Sequence, residues 1–187
     1  YERGGDNLPR DWVARMKQML VELGPVFNTS RMVQEYTRRF YHPALESSRL
    51  LAVENFNRGR AYASWYSSLH SNWHVIKIEG ITAEIGEEVR VGDLLRVAAE
   101  VYLGPIEPGD VSVECYEGPL DIDSSIKRGH THQMARVRDG KKKGWHTYAV
   151  DVNTAATGLN GFTVRVIPAH ADIPKTMRLG LIRWAAE

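Results

Sequence analysis

Cysteine is nearly absent. Cys115 stands alone in 187 residues, so neither an internal disulfide nor a cysteine-based zinc site can form, and a reducing, cytoplasmic compartment is favoured. Charge of one sign is missing too: 24 Lys+Arg offset 23 Asp+Glu, for a net charge of +1. No global field therefore draws the chain to nucleic acid or to anionic lipid. No apolar run approaches the roughly 18 residues a membrane-spanning helix needs. A basic segment followed by an apolar stretch, the mark of a targeting peptide, is not visible. Neither is a glycine-rich phosphate loop between strand and helix, nor a serine nucleophile elbow. Tyr1-Glu2-Arg3-Gly4-Gly5-Asp6-Asn7 reads as a loop entered in mid-course. That start suits an excised piece of a longer chain better than a natural terminus.

What is present is an ordinary globular composition, 43% hydrophobic with 16 Gly and 8 Pro, which argues against disorder. Two hydrophobic periods divide it. Trp12, Met16, Met19, Leu20 and Leu23 recur on one helical face after Pro9, and Gly24-Pro25 stops the run. Asn28-Thr29-Ser30 offers N-cap chemistry for a second helix with Met32, Val33, Tyr36 and Phe40 on its apolar side, ending at His42-Pro43. From Leu45 to about Asn72, the stripe Ala52, Phe56, Gly59, Ala63, Tyr66 and Trp73 predicts a third helix, about 40 Å long at 1.5 Å per residue.

Beyond Trp73 the period falls to two. Leu95, Val97, Ala99, Val101 and Leu103 alternate with polar or small neighbours, as do Val111, Val113 and Cys115, and Phe162, Val164 and Val166. Trp145 to Val152 is rich in β-formers, and Val75 to Ile78 and Leu181 to Trp184 read as shorter strands. Turns at Val91-Gly92-Asp93, Glu107-Pro108-Gly109-Asp110, Asp139-Gly140 and Gly158-Leu159-Asn160-Gly161 separate them. The expected fold class is α+β: an N-terminal helical segment, residues 1–72, followed by an antiparallel, immunoglobulin-like β-sandwich, residues 73–187. Val97, Val101, Val113, Val164 and Val166 should face the core between the sheets.

Side chains that could carry chemistry are scattered. His130, His132 and His146 could in principle form a three-histidine metal site, but His-x-His spacing is a weak filter, and polar outward positions beside a turn explain it better. Arg128, Arg136, Arg138 and Lys141-Lys142-Lys143 make the most basic stretch, best read as a solvated hairpin tip rather than a nucleic-acid groove. Asp121 and Asp123 suit a turn. Trp12, Trp65 and Trp73 fall on helical stripes and belong to cores, whereas Trp145 and Trp184 remain open as stacking contacts for a glucan. No catalytic, cofactor-binding or metal residue emerges.

Two stretches resemble a known family. One is Leu8-Pro9-Arg10-Asp11-Trp12-Val13-Ala14-Arg15-Met16-Lys17, followed by Pro25-Val26-Phe27-Asn28-Thr29-Ser30-Arg31-Met32-Val33-Gln34-Glu35-Tyr36. It is similar to the closing helices of the α-glucan (glycogen/starch/maltodextrin) phosphorylases. The other runs from Gly161-Phe162-Thr163-Val164-Arg165-Val166-Ile167-Pro168-Ala169-His170 to Gly180-Leu181-Ile182-Arg183-Trp184-Ala185. It resembles the C-terminal tail of that family's prokaryotic branch, with His170-Ala171-Asp172-Ile173 in place of His-Pro-Asp-Leu. The resemblance implies a C-terminal piece of such an enzyme, with residues 1–72 closing the cofactor-side glycosyltransferase domain. The whole enzyme would use pyridoxal phosphate to exchange phosphate with the terminal glucose of an α-1,4-glucan, giving glucose 1-phosphate. The family's cofactor lysine lies in a Gly-Thr-x-Asn-Met-Lys motif that the surroundings of Lys17 do not match, so no functional residue carries over. Implied partners are the upstream domains and, for the whole enzyme, α-glucan, with self-association through the uncovered helical face as a further expectation. A free-standing carbohydrate-binding module and an oligomerisation module are the alternatives.

Overall fold

A computed structural model describes residues 2–84, 92–126, 128–140, 142–153, 158–173 and 179–185. The chain divides into two compact units, Tyr1–Arg58 and Gly59–Glu187.

The first unit is helical. Helix α1, Arg10–Leu23, starts on Pro9 as N-cap and carries Asp11 in its first turn, where a carboxylate meets the positive end of the helix dipole. Helix α2, Thr29–Tyr36, is capped by Asn28, whose side-chain oxygen accepts from the Arg31 N–H at 2.8 Å. The expected stop at His42-Pro43 does not occur. A π-helical turn, Thr37–Tyr41, leads straight into helix α3, His42–Asn72. Proline inside a helix lacks the donor for the preceding turn and clashes with its carbonyl; a widened turn just before it relieves both.

The expected uninterrupted third helix is broken. Val53 turns extended (ψ 146°), and Glu54, Asn55 and Phe56 adopt positive φ of 53°, 55° and 63°. Left-handed backbone costs a non-glycine residue roughly 1–2 kcal/mol, and three in succession end the helical path. The apolar stripe through Phe56 is therefore not one continuous face. The break falls just ahead of the unit boundary at Arg58/Gly59, so Gly59–Asn72 belongs with the strands that follow.

In the second unit the strands are β1 Lys77–Glu84, β2 Leu94–Tyr102, β3 Val111–Pro119, β4 His130–Gln133, β5 Ala135–Asp139, β6 Trp145–Asn153, β7 Asn160–Pro168 and β8 Arg183–Trp184. Among the described residues they form two antiparallel four-stranded sheets, ordered β1-β2-β6-β5 and β4-β3-β7-β8. The alternation read from sequence holds: Val97, Val101, Val113, Cys115, Val164 and Val166 are each 0–1% exposed and belong to one core drawn from both sheets. Leu69 and Trp73 complete that core from the helical side, with Ile76 fully buried beside them. Arg183 Nε donates to the Ile76 carbonyl at 3.0 Å and so ties β8 to the entrance of β1.

The expected turn at Glu107-Pro108-Gly109-Asp110 is present, with the Asp110 N–H donating to the Glu107 carbonyl at 2.9 Å. Asn160 and Gly161 of the expected Gly158–Gly161 turn instead already belong to β7, and Val91 lies outside the described residues. The β5–β6 hairpin closes through Gly140 N–H to the Trp145 carbonyl at 2.7 Å. Gly144 in that tip sits at φ +80°, and a Cβ there would lie 2.9 Å from the Tyr102 ring. Only glycine meets both demands. Asp121 opens a turn, accepting from the Ser124 N–H through its carbonyl and from the Ile122 N–H through its carboxylate. His170-Ala171-Asp172-Ile173 forms a turn without proline, in which the Ile173 N–H donates to the His170 carbonyl at 3.1 Å. Lys141 lies outside the described residues.

Cys115 occupies an inward position on β3 with no exposure. Burial, assisted by the Glu117 carboxylate, pushes its thiol up to about 11. The thiolate is the nucleophile, so a maleimide or disulfide reagent near pH 8 should leave the folded chain unlabelled and modify it stoichiometrically once denatured. Rapid labelling of the native protein would show that the β3–β7 core opens readily.

Candidate functional site

The outward face of the β4-β3-β7-β8 sheet carries the densest polar and aromatic arrangement. Because Val113 and Val164 point inward, Glu114, Tyr116 and Arg165 point outward, and the strand register sets Glu114 opposite Arg165 and Arg165 opposite Trp184. Arg165 Nε donates to Glu114 Oε2 at 2.7 Å, and a terminal nitrogen reaches Thr131 Oγ1 at 3.2 Å. The guanidinium lies 5.5 Å from the Tyr116 ring centre and 5.2 Å from that of Trp184. Weakly hydrated and planar, arginine suits both contacts together. Tyr116 and Trp184 meet edge to face at 5.8 Å, and the Tyr116 hydroxyl accepts from Gly129 N–H at 3.0 Å. The result is a fixed indole that remains 40% exposed on an edge strand.

Trp145 sits on the other sheet. It opens β6 opposite Tyr102, the two rings 5.4 Å apart and tilted by 40°. The two tryptophans singled out by sequence thus lie on different sheets and do not form one stacking platform. The remaining candidates are also dispersed. His130 and His132 are on β4, whereas His146 is on β6 of the opposite sheet. His132 Nε2 lies 3.3 Å from Glu117 Oε1 and His146 Nδ1 lies 2.9 Å from Asp139 Oδ1. Among the described residues no cluster of three or more metal-ligating side chains forms. Arg136 and Arg138 belong to exposed strand β5, while Arg128 precedes β4 on the other sheet. Among the described residues the arginines of the basic stretch are therefore divided between the two sheets.

A second aromatic cluster went unread in the sequence. Trp65, placed there on a core stripe, donates its indole N–H to Asp110 Oδ1 at 2.9 Å and packs its ring 4.4 Å from His170. Tyr62 stacks on Trp65 at 5.5 Å and meets His170 at 5.5 Å. Desolvation, with smaller contributions from Tyr66 and Asp172, raises the Tyr62 phenol above its ordinary value. Tyr62 and Trp65 are three apart on the helix, which puts both on the face turned to the strands. The cluster reads as an anchor holding Gly59–Asn72 to the β3 entrance and the β7 exit.

These features define a helix-buttressed, two-sheet β unit without a catalytic constellation among its described residues. Residues 73–186 match the family described as glycogen phosphorylase C-terminal domain, and the chain belongs to that family. A glycogen phosphorylase of Mycobacterium tuberculosis (strain ATCC 25618 / H37Rv) is 30% identical over 186 residues, covering 99% of this chain and 21% of that protein. A maltodextrin phosphorylase of Thermococcus litoralis is 30% identical over 177 residues, covering 92% of this chain and 20% of that protein. The chain spans about a fifth of the length of the curated relatives it matches. No solved structure matches it significantly. The similarity takes in the helical unit as well as the sheets, so the resemblance read from two stretches extends along the chain.

Proposed function

We propose that this chain serves as the C-terminal part of a cytoplasmic α-glucan phosphorylase, which as a whole exchanges phosphate with the terminal glucose of an α-1,4-glucan and releases glucose 1-phosphate. The observation that carries this reading is the match of nearly the whole chain to about a fifth of each relative. In this reading residues 1–72 are closing helices of the glycosyltransferase domain and 73–187 form the appended domain. The helical unit supports it. Among the described residues of 1–58 none is buried, and Trp12, Met16, Met19, Leu20 and Leu23 are 39–68% exposed. Such a face fits a partner surface supplied by the upstream domains.

Pyridoxal phosphate would supply the phosphate chemistry of the whole enzyme. The residues here do not fit it: Lys17 is exposed on α1, and no described side chain in that unit is buried around it. No step of the reaction is assigned to this chain. We propose further that the appended domain is an immunoglobulin-like sandwich; its two antiparallel four-stranded sheets, ordered β1-β2-β6-β5 and β4-β3-β7-β8, support that reading.

Trp184 and, separately, Trp145 are proposed as glucan contacts. Stacking of this kind contributes about 1 kcal/mol, so Trp184→Ala should weaken binding of maltoheptaose roughly fivefold, measured by calorimetry, with Trp145→Ala as the parallel variant. Unchanged affinity in both removes them as contacts. The functional reading itself is tested by phosphorolysis of maltoheptaose. The longer polypeptide containing this chain should release glucose 1-phosphate while the isolated chain releases none. A longer polypeptide inert on every α-glucan would overturn it.

A further inference from the structure

Helix α3 holds a run of strained backbone. Glu54, Asn55 and Phe56 stand in succession in the left-handed region, behind an extended Val53. Among the other described non-glycine residues only Asn7 and Ser124 have positive φ, each alone. Left-handed backbone presses Cβ against the following carbonyl oxygen, and each such residue lowers the population of its conformer roughly 5- to 30-fold. Asparagine tolerates the region best; glutamate and phenylalanine do not. Yet residues 42–52 and 57–72 are helical on either side, and the four residues between them include neither Gly nor Pro to stop a helix.

Strain of this kind persists where the surrounding structure over-determines it. Burial does not do so here. Val53 and Phe56 are 50% and 58% exposed, and Glu54 and Asn55 are exposed as well. The later part of α3 is differently placed: Leu69 lies in the core of the β unit, and Trp65 donates to Asp110. A helix fixed by packing at its C-terminal end thus carries, just before the boundary at Arg58/Gly59, four exposed residues whose sequence permits helix and whose backbone departs from it. Local sequence and observed conformation disagree, and two nearly balanced arrangements resolve the disagreement.

We propose that Val53–Phe56 is a two-state hinge: α3 is broken there in one state and runs as a single helix in the other. The exchange is confined to the φ and ψ angles of four residues, as hinge motions are. A contact that prefers either state shifts the balance between them by its difference in affinity.

Distance measurement between spin labels on the 187-residue chain tests the hinge. Ser48→Cys and Ser64→Cys place labels at exposed positions on either side of it, and buried Cys115 stays unlabelled. Dilution into unlabelled chain removes signals between copies. The 16 intervening steps of a continuous helix span about 24 Å. The parent should show that distance together with a second population at another. Asn55→Ala, which favours helix and disfavours the left-handed region, should raise the ratio of the 24 Å population to the other at least fivefold. Glu54→Gly should lower it at least fivefold, because glycine adopts positive φ freely and weakens helix. The melting temperature of the β unit should be the same in all three proteins. One distance unchanged by both substitutions, shifts in the opposite sense, or a melt lowered by either substitution would overturn the hinge.

Discussion

Val164→Asp should lower the melting temperature by roughly 10–20 °C or prevent the β unit from folding. Val164 is fully buried on β7, paired with Cys115 of β3 and adjacent in the core to Val113 and Val166. Its neighbours on that face are apolar, so a carboxylate there would be desolvated without a cation to compensate. The cost, on the order of 3–5 kcal/mol, rivals the whole margin of a small domain, about 5–15 kcal/mol. Thr163→Asp, one residue earlier and on the outward face beside Tyr116, should change stability by less than about 1 kcal/mol. Circular dichroism melts of the two variants decide it. Equal losses, or an unchanged melt for Val164→Asp, would mean that the register of β7 is misplaced by one residue.

The second large effect concerns association. The isolated chain should self-associate through α1, and Met16→Glu with Leu20→Glu should return it to monomer. Trp12, Met16, Met19, Leu20 and Leu23 lie on one face and remain exposed. Full burial of each such side chain contributes roughly 1.5–3 kcal/mol, enough to drive association when several act together. Sedimentation velocity at several concentrations reads the outcome directly. A parent that stays strictly monomeric with α1 intact would show that this face needs no partner.

What the sequence made legible followed from the strength of its periodic signals. Val97, Val101, Val113, Val164 and Val166 each sit in alternating runs buried on one side, and a one-residue slip would expose the whole set. Asn28 was readable because an N-cap is a local hydrogen bond between near neighbours. Other features depend on context that periodicity does not carry. The break at Val53–Phe56 occurs in residues with no glycine or proline to mark it. His42-Pro43 carries the right punctuation, yet a π-helical turn absorbs it. Strand β5, Ala135–Asp139, is exposed throughout and contributes charge rather than an apolar face, so it reads as part of a basic loop. The candidate tryptophans were separable only by knowing which sheet each strand joins.

Complementation tests the central claim most directly, namely that this chain is the closing part of a phosphorylase whose helical face docks on the remainder. The longer polypeptide, produced without these 187 residues, is mixed with the separately purified chain, and glucose 1-phosphate release from maltoheptaose is followed. Neither part alone should be active. Together they should recover activity that saturates at equimolar ratio, and the chain carrying Met16→Glu and Leu20→Glu should fail to restore it. Full activity of the truncated polypeptide alone, or equal rescue by the doubly substituted chain, would contradict the account.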